Sequence, residues 1–301
     1  MSANAPGSEP SRLRLWPALV LLAALWGLTV LPSLFTEPPM AVFMAAFFGP
    51  VVCVLLIAVW WVAGSRATGK EKLVGLGGLV SIFALTLLLA HPSMRGFPVF
   101  SMLLPWGMTA FVLGLAASRW LGSLPRTAVA LLTAMLAFGF WTLVRLDGVW
   151  GDFQAERAWR WQPTAEERFL ADRPSASHGA ATIEEVAEAD WPGFRGPERD
   201  AVVPGLSLAE DWSARPPLEL WRISVGPGWS SFAVAGRRLF TQEQRGEFEA
   251  VVAYDAETGA ELWVHEYRSR FSEAMGGIGP RATPTLAGGM LFALGAEGLL
   301  H

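Results

Sequence analysis

Few residues in this chain of 301 have a type and spacing that could do chemistry. The stretch Gly64–Lys70, GSRATGK, fits the first seven positions of a phosphate-binding loop, in which backbone amides and a lysine hold the phosphates. The eighth position should be Ser or Thr to bind magnesium, but it is Glu71. Because the stretch also joins two apolar runs rather than a strand and a helix, we interpret it as a basic loop.

The histidines and the cysteine do not form the pattern of a metal or catalytic site either. No two histidines have the i,i+4 spacing of a helical metal site, and the single cysteine, Cys53, lies inside an apolar run. Gly276–Gly279 is glycine-rich, but no helical pattern follows it as a dinucleotide loop would require. The sequence therefore predicts no metal ligands, no disulfide and no identifiable catalytic or cofactor-binding residues. The histidines are His91, His178, His265 and His301.

Five apolar runs without a charged residue fill the first half of the chain. Each has about 18–24 residues, which at ~1.5 Å per residue is enough to cross a ~30 Å hydrocarbon layer. Transporters and channels usually keep ionisable residues inside their spans, so we expect a five-helix membrane anchor instead. The runs are Leu15–Leu34, Met40–Ala63, Leu73–Ala90, Phe97–Ser118 and Thr127–Val144.

Lys and Arg collect on one side of these runs, as they do in cytoplasmic loops. The N-terminal segment and the loops after the second and fourth runs hold seven, and the opposite loops hold only Arg95. We therefore expect residues 1–14 in the cytoplasm, the anchor at residues 15–144 in a bacterial inner membrane, and the rest in the periplasm. The first 144 residues carry a net charge of +5 and the others −9. Because binding to phosphates needs a basic surface, the acidic outer half does not indicate nucleic acid as a partner.

Residues 145–189 have the composition of a membrane-proximal helix and linker. Three tryptophans among charged residues predict a segment on the membrane surface up to about Leu170. The capping box TAEE that begins at Thr164 predicts a short helix through about Ala171. The following residues up to Ala189 are rich in Ala, Ser, Glu and Pro, and they predict a flexible linker.

From Asp190 onward, short alternating runs are broken by turn residues. Glu-Leu-Trp at 219–221 recurs at 261–263, and Ala-Gly followed by Leu-Phe at 235–240 recurs at 287–292. Repeat periods of 42 and 52 residues with four strands each are typical of propeller blades. The predicted strands are Trp229–Val234, Arg238–Gln242, Glu249–Tyr254 and Ala260–His265.

The sequence AYDAETGAELW at 253–263 closely resembles a blade of the quinoprotein-type, or PQQ-like, β-propellers. The resemblance covers residues 190–301 and implies an incomplete all-β propeller of about one and a half four-stranded blades. It also implies that Gly259 closes the turn between the last two strands of a blade. By the same resemblance, Trp221 and Trp263 are the tryptophans that dock neighbouring blades on each other.

Two functions follow from this resemblance. The family includes scaffolds, such as the propeller lipoprotein of the outer-membrane barrel assembly machine, and dehydrogenases that carry pyrroloquinoline quinone and calcium. Asp190-Trp191-Pro192 resembles the lead-in segment of membrane-bound glucose dehydrogenase, but Gly193–Asp200 departs from it. We therefore expect a binding or scaffold module. The alternative is a quinoprotein dehydrogenase that oxidises a sugar or alcohol and passes electrons to membrane quinone.

No cofactor is evident in this segment, because the calcium ligands and catalytic aspartate of the dehydrogenases lie in later blades. Propellers have about four to eight blades, so we expect the chain to be a fragment, with Leu218–Val225 as the strand that closes the ring. Pyrroloquinoline quinone and calcium would then belong to the longer protein. The expected partners are the lipid bilayer and either a periplasmic protein or membrane quinone. Trp26 and Trp106 could line a quinone site, but such residues are more often packing or interfacial aromatics.

Overall fold

The computed structural model divides the chain into two compact units, Met1–Gln162 and Pro163–His301. The first contains five long helices and a β-hairpin, and the second contains a short helix and antiparallel strands. The expected cytoplasmic segment, apart from its last two residues, and most of the expected linker lie outside the described residues. The structure describes residues 13–149, 155–172, 189–273 and 276–301.

All five long helices are long and apolar enough to cross a membrane, which confirms the five predicted apolar helices. Short 3-10 or π turns extend the first helix to Leu34 and the second to Gly64, and precede the fourth from Val99. With these turns the helices span 18 to 25 residues. They are α1 (Trp16–Val30), α2 (Met40–Val59), α3 (Gly69–Leu89), α4 (Leu104–Ala117) and α5 (Ser123–Phe140).

Helices α3 and α5 begin before the apolar runs do, so the expectation of spans without charge is wrong for their first turns. These turns include Glu71 and Arg126, and both side chains are buried. Thr68 starts α3 with a capping box: its Oγ1 accepts from the Glu71 amide at 3.3 Å, and Glu71 Oε2 accepts from the Thr68 amide at 3.4 Å. The apolar pattern alone misses such a start, because a capped first turn is polar.

Helices α4 and α5 pack closely through small residues. A Cβ added to Gly114 would lie 2.8 Å from Ala130 Cα, and Thr133 Oγ1 donates across the interface to Ala110 O at 2.8 Å. Small residues let helix backbones approach each other in a membrane, where lipid is as apolar as the side chains. The core of the bundle also contains large apolar side chains, among them Leu25, Ile57, Leu103, Phe111 and Phe138.

A β-hairpin that the sequence did not predict follows α5, which ends at Phe140 rather than at Val144. Its strands are β1 (Val144–Val149) and β2 (Ala155–Trp159). Arg145 is buried there, pairs with Asp147 at 2.5 Å and donates to the carbonyl of Gln162. The Leu146 amide donates to Ser93 Oγ at 2.9 Å. These contacts hold the segment in a hairpin, whereas the sequence predicted that it lies along the membrane surface.

In the second unit, α6 (Ala165–Asp172) begins at the predicted capping box. Thr164 donates its amide to Glu167 Oε2 at 2.7 Å, and its Oγ1 accepts from the Glu167 amide at 3.0 Å. Four antiparallel strands form a meander in chain order, three of them at the predicted positions with longer bounds. They are β3 (Ala233–Ala235), β4 (Arg238–Arg245), β5 (Phe248–Asp255) and β6 (Glu261–Arg268).

The predicted start of the first strand of this sheet, at Trp229, is wrong, because β3 begins at Ala233. The residues before Ala233 run beside β4 but lack the regular ladder. Their contacts with it include a bond from the Gln244 amide to Pro227 O at 2.7 Å and one from the Gln242 amide to Ser230 Oγ at 3.2 Å. The segment expected to close a ring, Leu218–Val225, forms no strand, and none of the described sheets is closed.

A second hairpin repeats the start of the sheet 52 residues later. It is built from β9 (Thr285–Ala287) and β10 (Met290–Phe292), after a small hairpin of β7 (Ser272–Glu273) and β8 (Gly277–Ile278). Thr285 pairs with Phe292, just as Ala233 pairs with Phe240. The turn glycines, Gly236 and Gly288, both have a φ of 57°. The structure therefore shows the 52-residue repeat as a repeated hairpin.

Candidate functional site

The two faces of the sheet β3–β6 have different neighbours. On one face, Phe240 and Ala253 pack with Leu286 of the following hairpin. On the other face, Val252 and Tyr254 form a separate apolar cluster. Each face also carries buried charged residues near the turn between β4 and β5.

Arg245 is the centre of the first group of charges, which we call the arginine cluster. Its guanidinium pairs with Glu243 at 2.5 Å, Glu261 at 2.8 Å and Glu266 at 3.4 Å. Tyr254 donates its hydroxyl to Glu243 Oε2 at 3.1 Å. Burial raises the pKa of Glu243, and the neighbouring arginine opposes that rise. The paired groups lie on β4, β5 and β6, so the cluster joins the last three strands of the sheet.

Glu249 is the centre of the second group, on the opposite face. It accepts from the Tyr267 hydroxyl at 2.7 Å, from Ser269 Oγ at 3.2 Å and from the Ala296 amide at 3.2 Å. The Tyr267 ring stacks on His301 with 3.9 Å between ring centroids. Burial and the hydrogen bond to Glu249 raise the pKa of Tyr267. This carboxylate therefore ties the sheet to the chain that follows β10.

The predicted blade-docking residues lie at two places. Trp221 Nε1 donates to Ala256 O at 2.9 Å, in the turn between β5 and β6. Gly259 ends that turn with a φ of 73°, and a Cβ there would lie 2.7 Å from the Trp221 ring. Trp263 lies on β6 opposite Ala253 and packs against the apolar face that contacts the next hairpin. Trp221 and Gly259 are thus brought together, whereas docking between complete blades stays a prediction.

The lead-in segment holds the sheet and the second hairpin together, which the sequence did not predict. Trp191 exchanges two backbone hydrogen bonds with Val234, at 3.0 and 2.7 Å, and Pro192 O accepts from the Leu286 amide at 2.7 Å. Gly196 has a φ of 77°, and a Cβ there would lie 2.6 Å from the Trp191 ring. The sequence signal for this contact was a glycine five residues after a tryptophan. That spacing indicates a contact only once the turn is known to bring the glycine against the tryptophan ring.

In the helical unit, the buried ion pair between Glu71 and Arg126 was also missed, because both residues were assigned to loops. Arg126 donates to Glu71 Oε1 from Nη2 at 2.7 Å and from Nε at 3.1 Å, and Thr127 Oγ1 donates to the same oxygen at 3.2 Å. Trp26 and Trp106, which the sequence assigned to packing or the membrane interface rather than to a quinone site, pack edge-to-face with 5.5 Å between ring centroids.

The described residues do not fit the calcium site that the resemblance implies for dehydrogenases. Among them, no group of three or more His, Cys, Asp or Glu residues lies close enough together to hold a metal ion. Glu243 bonds to Arg245 and Tyr254, and Glu249 bonds to hydroxyls and an amide. We derive no chemical step through calcium or pyrroloquinoline quinone.

Comparison with known families supports the PQQ-like assignment of the C-terminal part. Residues 216–301 match the family described as outer membrane protein assembly factor BamB. The match includes Trp221, the sheet β3–β6 and the hairpin β9–β10, and it leaves the helical unit unmatched. No curated protein and no solved structure matches the chain.

Proposed function

We propose that this chain is a membrane-anchored PQQ-like repeat protein whose C-terminal unit acts as a binding or scaffold module for another protein. The observation that carries the proposal is the sheet β3–β6 followed by a hairpin of the same register, in a chain that also has five helices able to span a membrane. The matching family is described as an assembly factor, and this description supports a binding role.

We also propose that the C-terminal unit lies in the periplasm. Seven of the eight Lys and Arg residues in the first 144 residues belong to the N-terminal segment and to the loops on its side. With five spans, the rest of the chain then lies on the opposite side of the membrane. This distribution of positive charge supports the proposed orientation. We propose that the membrane is a bacterial inner membrane.

The segment before the sheet provides a surface suited to protein binding. Residues 202–232 form no strand, and several large apolar side chains in them are more than half exposed. Exposed apolar surface of this kind commonly marks interaction sites. The side chains are Leu206, Leu208, Trp212, Leu218, Leu220 and Trp229.

Site-specific photo-crosslinking in the full chain tests the binding role. A photoreactive residue at Leu218 or Leu220 should give a discrete adduct with one envelope protein, identified by mass spectrometry. The control position is Glu247, which is also exposed but lies in the turn between β4 and β5, at the end of the sheet away from Trp221. Equal labelling from all three positions, or no adduct at all, would contradict the proposal. Alkaline extraction of the same membranes tests the anchoring separately.

The dehydrogenase alternative makes a different prediction. Membranes that contain the protein, supplied with pyrroloquinoline quinone and calcium, would reduce an artificial dye when given a suitable sugar or alcohol. We expect no dye reduction above that of membranes without the protein. A substrate-dependent rate that also requires the added cofactor would replace the scaffold proposal with the dehydrogenase.

A further inference from the structure

An open cleft lies where α5 ends and the hairpin β1–β2 begins. Its walls are mainly aromatic and apolar, formed by Phe140, Trp141, Val144 and Trp159. Arg157 and Gln162 contribute the polar part of the lining. All of these residues belong to the helical unit. The cleft is therefore an amphipathic site built from the end of one helix and two strands.

Trp141 is the residue that points to a ligand. Only 3% of it is exposed, yet its Nε1 has no hydrogen-bond acceptor among the residues that the structure describes. The ring itself is held edge-to-face against Phe140 and Trp106, with 5.3 and 6.0 Å between centroids. A buried N–H without an acceptor is costly in an apolar setting. An acceptor supplied by a bound molecule would remove that cost.

The position of the cleft relative to the membrane restricts which molecule can bind there. Helix α5 is one of the candidate spans, so its end at Phe140 lies near the boundary of the hydrocarbon layer. Trp159 and Trp161 stack on each other there with 5.2 Å between centroids, and both are exposed, as tryptophans at a membrane interface are. The ester carbonyls and phosphates of lipids lie at this depth, and both are hydrogen-bond acceptors.

Charge favours a lipid with a phosphate. Arg157 is exposed, lines the cleft and forms no ion pair with another described residue. Arg160 directly follows β2 and donates to Leu89 O and Thr142 O, both at 3.1 Å. A guanidinium binds phosphate through charge-assisted hydrogen bonds. The apolar wall, the indole N–H and the guanidinium match the acyl chain, the ester carbonyl and the phosphate of one lipid.

We propose that this cleft binds one anionic phosphoglyceride of the bilayer. Its phosphate contacts Arg157, and an acyl chain lies against Phe140 and Val144. Trp141 Nε1 is buried in the structure, so the indole turns toward the cleft as its N–H donates to the ester carbonyl. The inference rests on the membrane anchoring proposed above, but it is independent of what the C-terminal unit binds.

The test is native mass spectrometry of the full chain released from nanodiscs that contain phosphatidylglycerol. Trp141→Phe removes the N–H donor and keeps an aromatic ring, and Arg157→Gln removes the charge. We expect each change to lower the retained phosphatidylglycerol about threefold to tenfold, as the loss of one hydrogen bond would. The matched controls, Trp120→Phe and Arg119→Gln, alter exposed residues just after α4 and should retain lipid like the original chain.

Two further measurements keep the result interpretable. If Trp141→Phe fails to fold, a phospholipid with a photoreactive acyl chain is crosslinked to the original chain, and labelling should map to residues 140–162. Equal lipid retention by all four variants, labelling spread evenly over the helices, or a retained molecule with the spectrum of a quinone would each overturn the lipid site. Alkaline extraction of the chain from the membrane would instead overturn the anchoring itself.

Discussion

Two buried arginines, one in each unit, have a partner of opposite charge. Arg126 meets Glu71 at 2.7 Å in the helical unit, and Arg245 meets Glu243 at 2.5 Å in the sheet. Removing one member of such a pair leaves the other buried without compensation, which costs more than the pair itself contributes. Both pairs therefore restrict which residues the positions tolerate.

Replacing Arg126 with Met should destabilise the helical unit by about 3–5 kcal/mol, because Glu71 would stay buried as an unpaired charge. The comparison is Arg222→Met, which breaks an equally short but exposed pair with Glu219 and should cost less than about 1 kcal/mol. Thermal unfolding of both variants in detergent measures the difference. Similar losses of stability in the two variants would show that the buried pair contributes no more than the exposed pair does.

The two tyrosines of the chain should ionise only in strongly alkaline solution. Burial raises the pKa of Tyr254 and that of Tyr267, and a nearby glutamate raises each further. Both should therefore titrate above the ordinary value of about 10. Tyrosinate absorbance measures this directly, since the protein has no other tyrosine. The variants Tyr254→Phe and Tyr267→Phe assign the two transitions, and an ordinary midpoint for either would contradict its burial.

The same shifts determine how stability depends on pH. Above about pH 10 the unfolded chain loses its tyrosine protons while the folded chain keeps them, so the folded state binds more protons. The free energy of unfolding should therefore fall as pH rises through that window. Tyr267→Phe should lose less stability over the same range than the original chain does.

At the scale of elements, one turn of the sheet has no room for a side chain. Gly259→Ala would place a Cβ 2.7 Å from the Trp221 ring, whereas Gly289→Ala has a similar φ of 77° and nothing within 4 Å. The control should lose about 1–2 kcal/mol from backbone strain. Gly259→Ala should lose a further ~1–3 kcal/mol from the clash. Thermal unfolding of the full chain measures both losses.

A double variant separates the clash from the strain. If the extra loss in Gly259→Ala comes from Trp221, then in a Trp221→Ala background the glycine substitution should cost no more than the control does. An undiminished loss in that background would show that another neighbour is responsible.

The contact between α4 and α5 should be equally sensitive. Gly114→Val would force the α5 backbone away, because a Cβ already lies 2.8 Å from Ala130 Cα. Overpacking of this kind costs about 1–3 kcal/mol. Gly77→Val in α3 is the matched control, since nothing lies within 4 Å of its added Cβ. A lower unfolding temperature in detergent for Gly114→Val alone is the expected result.

The elements differ in how far the sequence predicts them. Strands β4 to β6 follow from alternation and from local turn residues such as Asp255 and Gly259, which act within a few residues. The hairpin β1–β2 depends on distant partners, such as Ser93 for the amide of Leu146. The Glu71–Arg126 pair likewise joins two helices. Short-range patterns carry no information about such contacts, so these features were missed.

At the scale of the whole molecule, the distribution of charge predicts which side of the membrane each loop faces. Alkaline phosphatase, which is active only outside the cytoplasm, should be active when fused after Arg95 or after His301 and inactive after Arg66. A fluorescent protein that matures only inside should give the opposite pattern. Activity after Arg66 and none after His301 would reverse the proposed orientation.

The bonds of Trp191 and Pro192 have a consequence for the order of assembly during synthesis. The Pro192 carbonyl leaves the ribosome well before Leu286, its partner roughly 90 residues later in the chain. At about 5–20 residues per second, this delay lasts about 5–20 s. The sheet can pair with Trp191 during that time, while the neighbouring carbonyl stays without its partner. Translation speed through the last quarter of the chain should therefore influence how much protein folds correctly.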